Sequence, residues 1–257
     1  LYIFLSGLIG TQIHRLTKFM SAKLLIQCSF APNVYDLAAF FRTDQVLILG
    51  GQPWSRKGRS HRAAIRNKDQ RQWIGLPIRT EDKKKLLSQV RIDSKQDWTG
   101  PLLNAVQHSY AKARYHDYYW KEFEALIMEA SKHERLWDFN KRVLRGLLEF
   151  TSLHYVSEKL RFIPEPYDFR EDPEALLGND IPKMLKTGDP TLSSVHSKCT
   201  YIQECHSHTY MSPIPDAESS HVRGFHYPQH HGAFMEHCSF IDLLFEQGPE
   251  SYRYLKN

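Results

Sequence analysis

Cysteine is scarce in this chain, with four in 257 residues, and Cys28, Cys199, Cys205 and Cys238 lack the close spacing of a disulfide framework. That excludes a stapled miniprotein and fits a reducing cytoplasm. Long apolar runs are missing too. The stretch from Leu1 to Gly10 falls well short of the roughly 20 residues that a helix needs to cross a bilayer, so no stable membrane span is expected. The glycines match neither a Walker loop nor a dinucleotide fingerprint. Dense basic stripes are absent, and a net charge of +5 does not read as a nucleic-acid binder, although it suits an anionic small molecule. No internal repeat or low-complexity tract interrupts the chain, which excludes a solenoid.

What is present is a globular composition, 41% hydrophobic and 25% charged, enough to bury a core in a chain of this length. The apolar start is followed by His14, Arg15 and Lys18, the reverse of the charge order in a signal peptide. Met20-Ser21-Ala22-Lys23 then leads into a strand-like run. Met20 is therefore the expected start, residues 1–19 an extension or mis-called start, and 20–257 a single domain. A membrane-associating N-terminal helix is the competing reading.

Leu24-Leu25-Ile26 and Val46-Leu47-Ile48-Leu49 are short continuous apolar runs and read as buried strands. Tyr35 to Arg42 reads as the helix between them. A polar, basic segment follows from Gly50 to Asp69, then strand candidates at Gln72–Ile78 and Val90–Asp93. From Trp98 the period changes: Leu103, Val106 and Tyr110, then Phe123, Leu126 and Ile127, then Leu136, Phe139, Val143 and Leu147 predict three amphipathic helices. Leu160–Ile163 reads as a strand ended by Pro164, and 164–194 as a long connection. Near the C-terminus, Ser239 and Asp242 have the spacing of a capping box, and Gly248-Pro249 that of a stop, which predicts a short helix from Phe240 to Gln247. The expected fold is α/β, with an N-terminal strand and helix core, a helical middle section and a short C-terminal capped helix.

Taken in order, several features resemble the WbqC-like family of bacterial surface-polysaccharide clusters. They are Gln27 and Pro32 after the first strand, Asp44 before the second, and Arg56, Gly58 and Arg62 in the basic loop. They continue with Trp73 to Ile78 including Pro77, the Ile92-Asp93 and Asp97-Trp98 pairs, and Tyr110-Ala111-Lys112-Ala113. Tyr227-Pro228-Gln229, Gly232, Ser239 to Phe245 and Gly248-Pro249-Glu250 complete the series. The resemblance implies transfer of an amino-acid or other acyl group to a sugar nucleotide in O-antigen biosynthesis. It also implies departures: Ile26 stands where the family typically has a histidine, Gly50 and Gly51 where it has paired acids, and His61-Arg62-Ala63 where it has Asn-Arg-Asn. A non-catalytic relative that binds a ligand or partner is the rival reading.

Arg56, Lys57, Arg59, His61, Arg62 and Arg66 with nearby Gly58 would suit a phosphate, because guanidinium groups bind it bidentately and glycine admits backbone N–H groups. A solvated basic loop is the plain alternative. His61 is the candidate general base, its pKa lowered by Arg62, and Gln27 the candidate for orienting substrate. Cys28 is either a nucleophile or buried packing, and Asp242 is assigned to capping ahead of catalysis. The C-terminal third holds His196, His206, His208, His221, His226, His230, His231 and His237 beside three cysteines. Cys199-x5-Cys205 is outside the usual zinc spacing; zinc binding is a third reading, no metal ligand is assigned, and the cofactor is left unknown.

Overall fold

The computed structural model describes residues 23–168, 176–177 and 226–255. The N-terminal extension, Met20, His196, Cys199, Cys205, His206, His208, His221 and most of the 164–194 connection lie outside the described residues.

The two apolar runs form β1 (Lys23–Gln27) and β2 (Gln45–Leu49), paired in parallel with Leu25 opposite Leu47. Leu24 to Ile26 and Val46 to Leu49 are almost wholly buried, as expected for strands covered on both faces. The crossover between them is α1 (Val34–Arg42), which begins one residue before the expected Tyr35. Its start is fixed by Asn33. The Asn33 side chain accepts the backbone N–H groups of Tyr35 and Asp36 at 3.0 and 2.9 Å, and the Asp36 carboxylate accepts the Asn33 N–H at 3.2 Å, a complete capping box.

The basic segment hides a strand. β3 (Arg62–Asn67) pairs antiparallel with β4 (Gln70–Gly75), Arg62 opposite Gly75. Its apolar content is only Ala63, Ala64 and Ile65, all buried, too little to stand out among arginines. β4 overlaps the expected Gln72–Ile78 strand but begins and ends earlier, and Val90–Asp93 forms no strand. That segment makes single bridges, Ile78 to Ile92 and Arg91 to Arg135, while Asp82 claims the Arg91 N–H and guanidinium.

Three helices follow as expected, α2 (Thr99–Tyr110), α3 (His116–Ala130) and α4 (Leu136–Phe150). α3 and α4 approach closely at Gly146, where a Cβ would lie 2.6 Å from the Leu126 methyls. A further helix, α5 (His154–Lys159), leads into β5 (Leu160–Ile163), which pairs parallel with β2. β6 (Leu176–Leu177) pairs parallel with β1, so the sheet order is β5-β2-β1-β6.

The C-terminal helix α6 (Phe240–Gln247) has the expected bounds, and a last turn, α7, spans Tyr252–Leu255. α6 stops at Gly248, at φ +49°, where a Cβ would meet the Tyr115 ring at 2.8 Å, and Pro249 lies in the 3-10 turn that follows. The capping box at its start is not formed. The Ser239 side chain makes no cap bond and its Oγ is buried without a partner among the described residues. Backbone groups do that work: Ser239 N–H donates to the Ala64 carbonyl and Phe240 N–H to the Pro32 carbonyl, both at 2.7 Å. With the helix start already docked on β3 and the β1–α1 turn, Asp242 is released to point into the interior.

Candidate functional site

The carboxyl ends of parallel strands are where α/β proteins place ligands, and here Gln27 ends β1 opposite Leu49 on β2. Gln27 is buried there. The positions that follow β2 are sealed. A Cβ on Gly50 would lie 2.6 Å from the Trp137 ring, and one on Gly51 2.2 Å from the Glu165 carbonyl oxygen. Gly50 N–H donates to the Ile163 carbonyl at 2.8 Å, and the Ser88 hydroxyl to the Pro164 carbonyl at 2.7 Å. Trp137 on α4 therefore occupies the space that a side chain at 50 would need, and the strap after β5 the space at 51. Cys28 is no nucleophile in this setting. It is buried against Asn140, and burial pushes its thiol up to about 12, so the reactive thiolate is suppressed at neutral pH.

The basic loop is tied to the same sheet edge: Phe30 N–H donates to the Arg59 carbonyl at 2.9 Å and Asn140 Nδ2 to the Ser60 carbonyl at 2.7 Å. A tight turn closes it, with Gly58 N–H on the Ser55 carbonyl at 3.1 Å. Arg62 clamps the turn from β3. Its Nε donates to the Gly58 carbonyl at 3.2 Å, a terminal nitrogen to the Lys57 carbonyl at 2.7 Å, and its guanidinium lies 4.3 Å from the Trp73 ring centre. Arg56 and Lys57 are left exposed at the tip. His61 lies half-buried beneath them, 5.0 Å from the Trp54 ring. Burial first, then Arg62 and Arg56, push its pKa down to about 4. The ring is thus neutral at physiological pH and can accept a proton, weakly. Arg62 acts in the expected direction, but desolvation is the larger cause.

Other expected positions are structural or distant. Pro32 supports the start of α6. Asp44 is exposed at the opposite end of β2, near Lys159, which bonds the carbonyls of Phe41 and Thr43. Pro77 accepts the Asp93 N–H at 2.8 Å.

A second constellation forms at the other end of β3. Asp242 is fully buried and accepts the hydroxyls of Tyr110 at 2.7 Å and Tyr227 at 2.6 Å, and the Gln229 amide at 2.8 Å. The Tyr110 hydroxyl in turn accepts the Arg66 N–H at 3.0 Å. Arg66 leaves the loop altogether: its guanidinium bonds Gln229, the Ala233 carbonyl at 2.7 Å and the Lys68 carbonyl at 3.1 Å. One turn along α6, Glu246 takes the His230 N–H at 3.0 Å and faces its Nδ1. Burial, with help from Asp242, raises Glu246 to about 8, and burial lowers His230. Burial thus disfavours the charged form of both groups. Spacing along the chain pointed to none of these pairings; the available signal was that Tyr110, Tyr227, Gln229 and Asp242 all belong to the motifs carrying the resemblance. Among the described residues no group of three or more His, Cys, Asp or Glu side chains is placed to hold a metal.

Parallel strands with a clamped basic loop at their carboxyl edge define a mixed α/β protein. Residues 27–162, more than half of the chain, match the WbqC-like protein family, and the chain belongs to that family. The match takes in the loop, Trp73, Pro77 and Tyr110, and ends before Tyr227 and Asp242. No curated protein and no solved structure matches the chain. Among the described residues no helix is long and apolar enough to cross a membrane.

Proposed function

We propose that the protein is a transferase of bacterial surface-polysaccharide biosynthesis that moves an amino-acid or other acyl group to a sugar nucleotide in the cytoplasm. The observation that carries the reading is the loop at the carboxyl edge of β1 and β2. Arg62 spends its donors on the loop carbonyls and so orders the turn at Gly58, while Arg56 and Lys57 face solvent and can meet a diphosphate. His61, uncharged, would take the proton from an acceptor amine or hydroxyl as its oxygen or nitrogen bonds to the acyl carbon and the leaving group departs. Gln27 would orient the acceptor.

Charge-assisted hydrogen bonds to a phosphate contribute about 1.5–3 kcal/mol each, so Arg56→Ala and Lys57→Ala should each weaken a nucleotide sugar by about tenfold or more. Calorimetric titration with uridine, guanosine and thymidine diphosphate sugars tests this, and equal affinity in both variants and the parent removes the loop from the reading. The rival, a non-catalytic binder, is favoured by the sealed Gly50 and Gly51 positions. It predicts the same binding with no consumption of an aminoacyl donor, whereas the transferase reading predicts turnover that His61→Gln abolishes without loss of binding.

A further inference from the structure

We propose that the cleft between β4 and the start of α2 is a binding site for a neutral hexose ring. The assignment of that ring to a sugar nucleotide rests on the loop reading above; the cleft argument does not. On β4, Ile74 is buried while Trp73 and Gly75 face outward, the alternation of a half-covered strand. Trp73 is 38% exposed, a large aromatic surface left open on a strand whose neighbour Gly75 adds no side chain. A Cβ at Gly75 would crowd the His61 carbonyl at 3.2 Å and Arg62 Cβ at 3.4 Å, so this part of the floor stays flat. Pro77 continues it.

Trp98 forms the facing wall, its ring held edge-on against Phe139 at 5.6 Å. The space between the walls is about 420 Å³. Gln96 and Asp97 stand exposed on the rim. The Asp97 carboxylate is steadied by Thr99 Oγ1 at 3.3 Å and Gly100 N–H at 3.4 Å; a carboxylate has about four acceptor positions, so others remain for a ligand.

An indole face carries negative quadrupole density, which complements the polarised C–H face of a sugar ring. Carboxylate and amide groups at the edge complement its hydroxyls. The negative Asp97 disfavours a phosphate inside the cleft, so the occupant is the uncharged ring. Arg62 joins the two regions, since it lies over Trp73 and bonds the Gly58 and Lys57 carbonyls. A ring in the cleft would have its anionic substituent directed to the loop.

The test uses the full chain and methyl glycosides of glucose, galactose and N-acetylglucosamine in saturation-transfer NMR. Calorimetry with the matching nucleotide sugars and with the free nucleoside diphosphates accompanies it. Trp73→Ala and Gln96→Ala are the variants, and unchanged far-ultraviolet spectra establish that they fold. Expected are saturation of glycoside ring protons that Trp73→Ala abolishes, and about tenfold weaker nucleotide-sugar binding in Trp73→Ala, with free nucleotides changed less than about twofold. An equal loss for sugar-free nucleotides would assign the cleft to the base and overturn the proposal, as would glycoside signals indifferent to both variants or absent from the parent. Glycoside contact that depends on Trp73, without any nucleotide-sugar binding, would uphold the cleft and sink the loop reading alone.

Discussion

Replacing Asp242 by alanine should loosen the attachment of the C-terminal segment to β3 and α2. The carboxylate accepts three donors, the Tyr110 and Tyr227 hydroxyls and the Gln229 amide. Each buried donor left unpaired costs about 1–3 kcal/mol. The two tyrosines are buried and have no route to water. Gln229 is half-buried and can recover a solvent bond. Against this stands relief of a buried carboxylate, whose pKa burial raises, and the Tyr110 hydroxyl still accepts the Arg66 N–H. The balance is a loss of roughly 2–4 kcal/mol. Urea unfolding followed by circular dichroism measures it, with an unchanged slope showing that the native state is otherwise intact. The decisive control is a double-mutant cycle. Tyr227→Phe should be costly in the parent and nearly neutral once Asp242 is alanine, a coupling of about 1–2 kcal/mol. A loss below about 0.5 kcal/mol for Asp242→Ala, or additive effects in the cycle, would refute the latch.

Two further outcomes follow from packing and burial. Gly51→Ala should destabilise by about 1–3 kcal/mol or more, since its methyl would have to displace the Glu165 backbone; a thermal midpoint equal to the parent's would show that the strap yields freely. Glu246 keeps its proton up to about 8 when folded and to about 4.3 when unfolded. Its contribution to stability is therefore fully present below about pH 4 and is lost as pH rises through 8. Between pH 6 and 9 the parent should lose roughly 2–3 kcal/mol that Glu246→Gln retains, and parallel stability curves for the two proteins would contradict this.

Local patterns carried much of the architecture. The runs at Leu24 and Val46, the helical stripes from Leu103 to Leu147 and the Gly248-Pro249 stop lie in β1, β2, the three middle helices and the end of α6, because strand burial, helix periodicity and left-handed termini act within a few residues. β3 carries little local signature, because its buried residues are mainly alanine between arginines. In the candidate site, the basic loop and the neutral state of His61 were legible from adjacent charges, although burial contributes more than Arg62.

Tertiary structure decided the rest. Ser239 and Asp242 have the spacing of a capping box, yet the N–H groups at the helix start were taken by Ala64 and Pro32 from distant parts of the chain, and Asp242 met Tyr110, 132 positions away. Arg62 and Arg66 are alike in sequence and sit on one strand, but one clamps the loop and the other anchors the C-terminal segment. The amino-acid sequence by itself determined much of the element order, β1, β2, β5, the three middle helices and α6 among it, and where positive charge gathers. Which polar groups meet, and which positions have no room for a side chain, was settled only when strands and helices packed, because hydrogen bonds and excluded volume depend on distance in space.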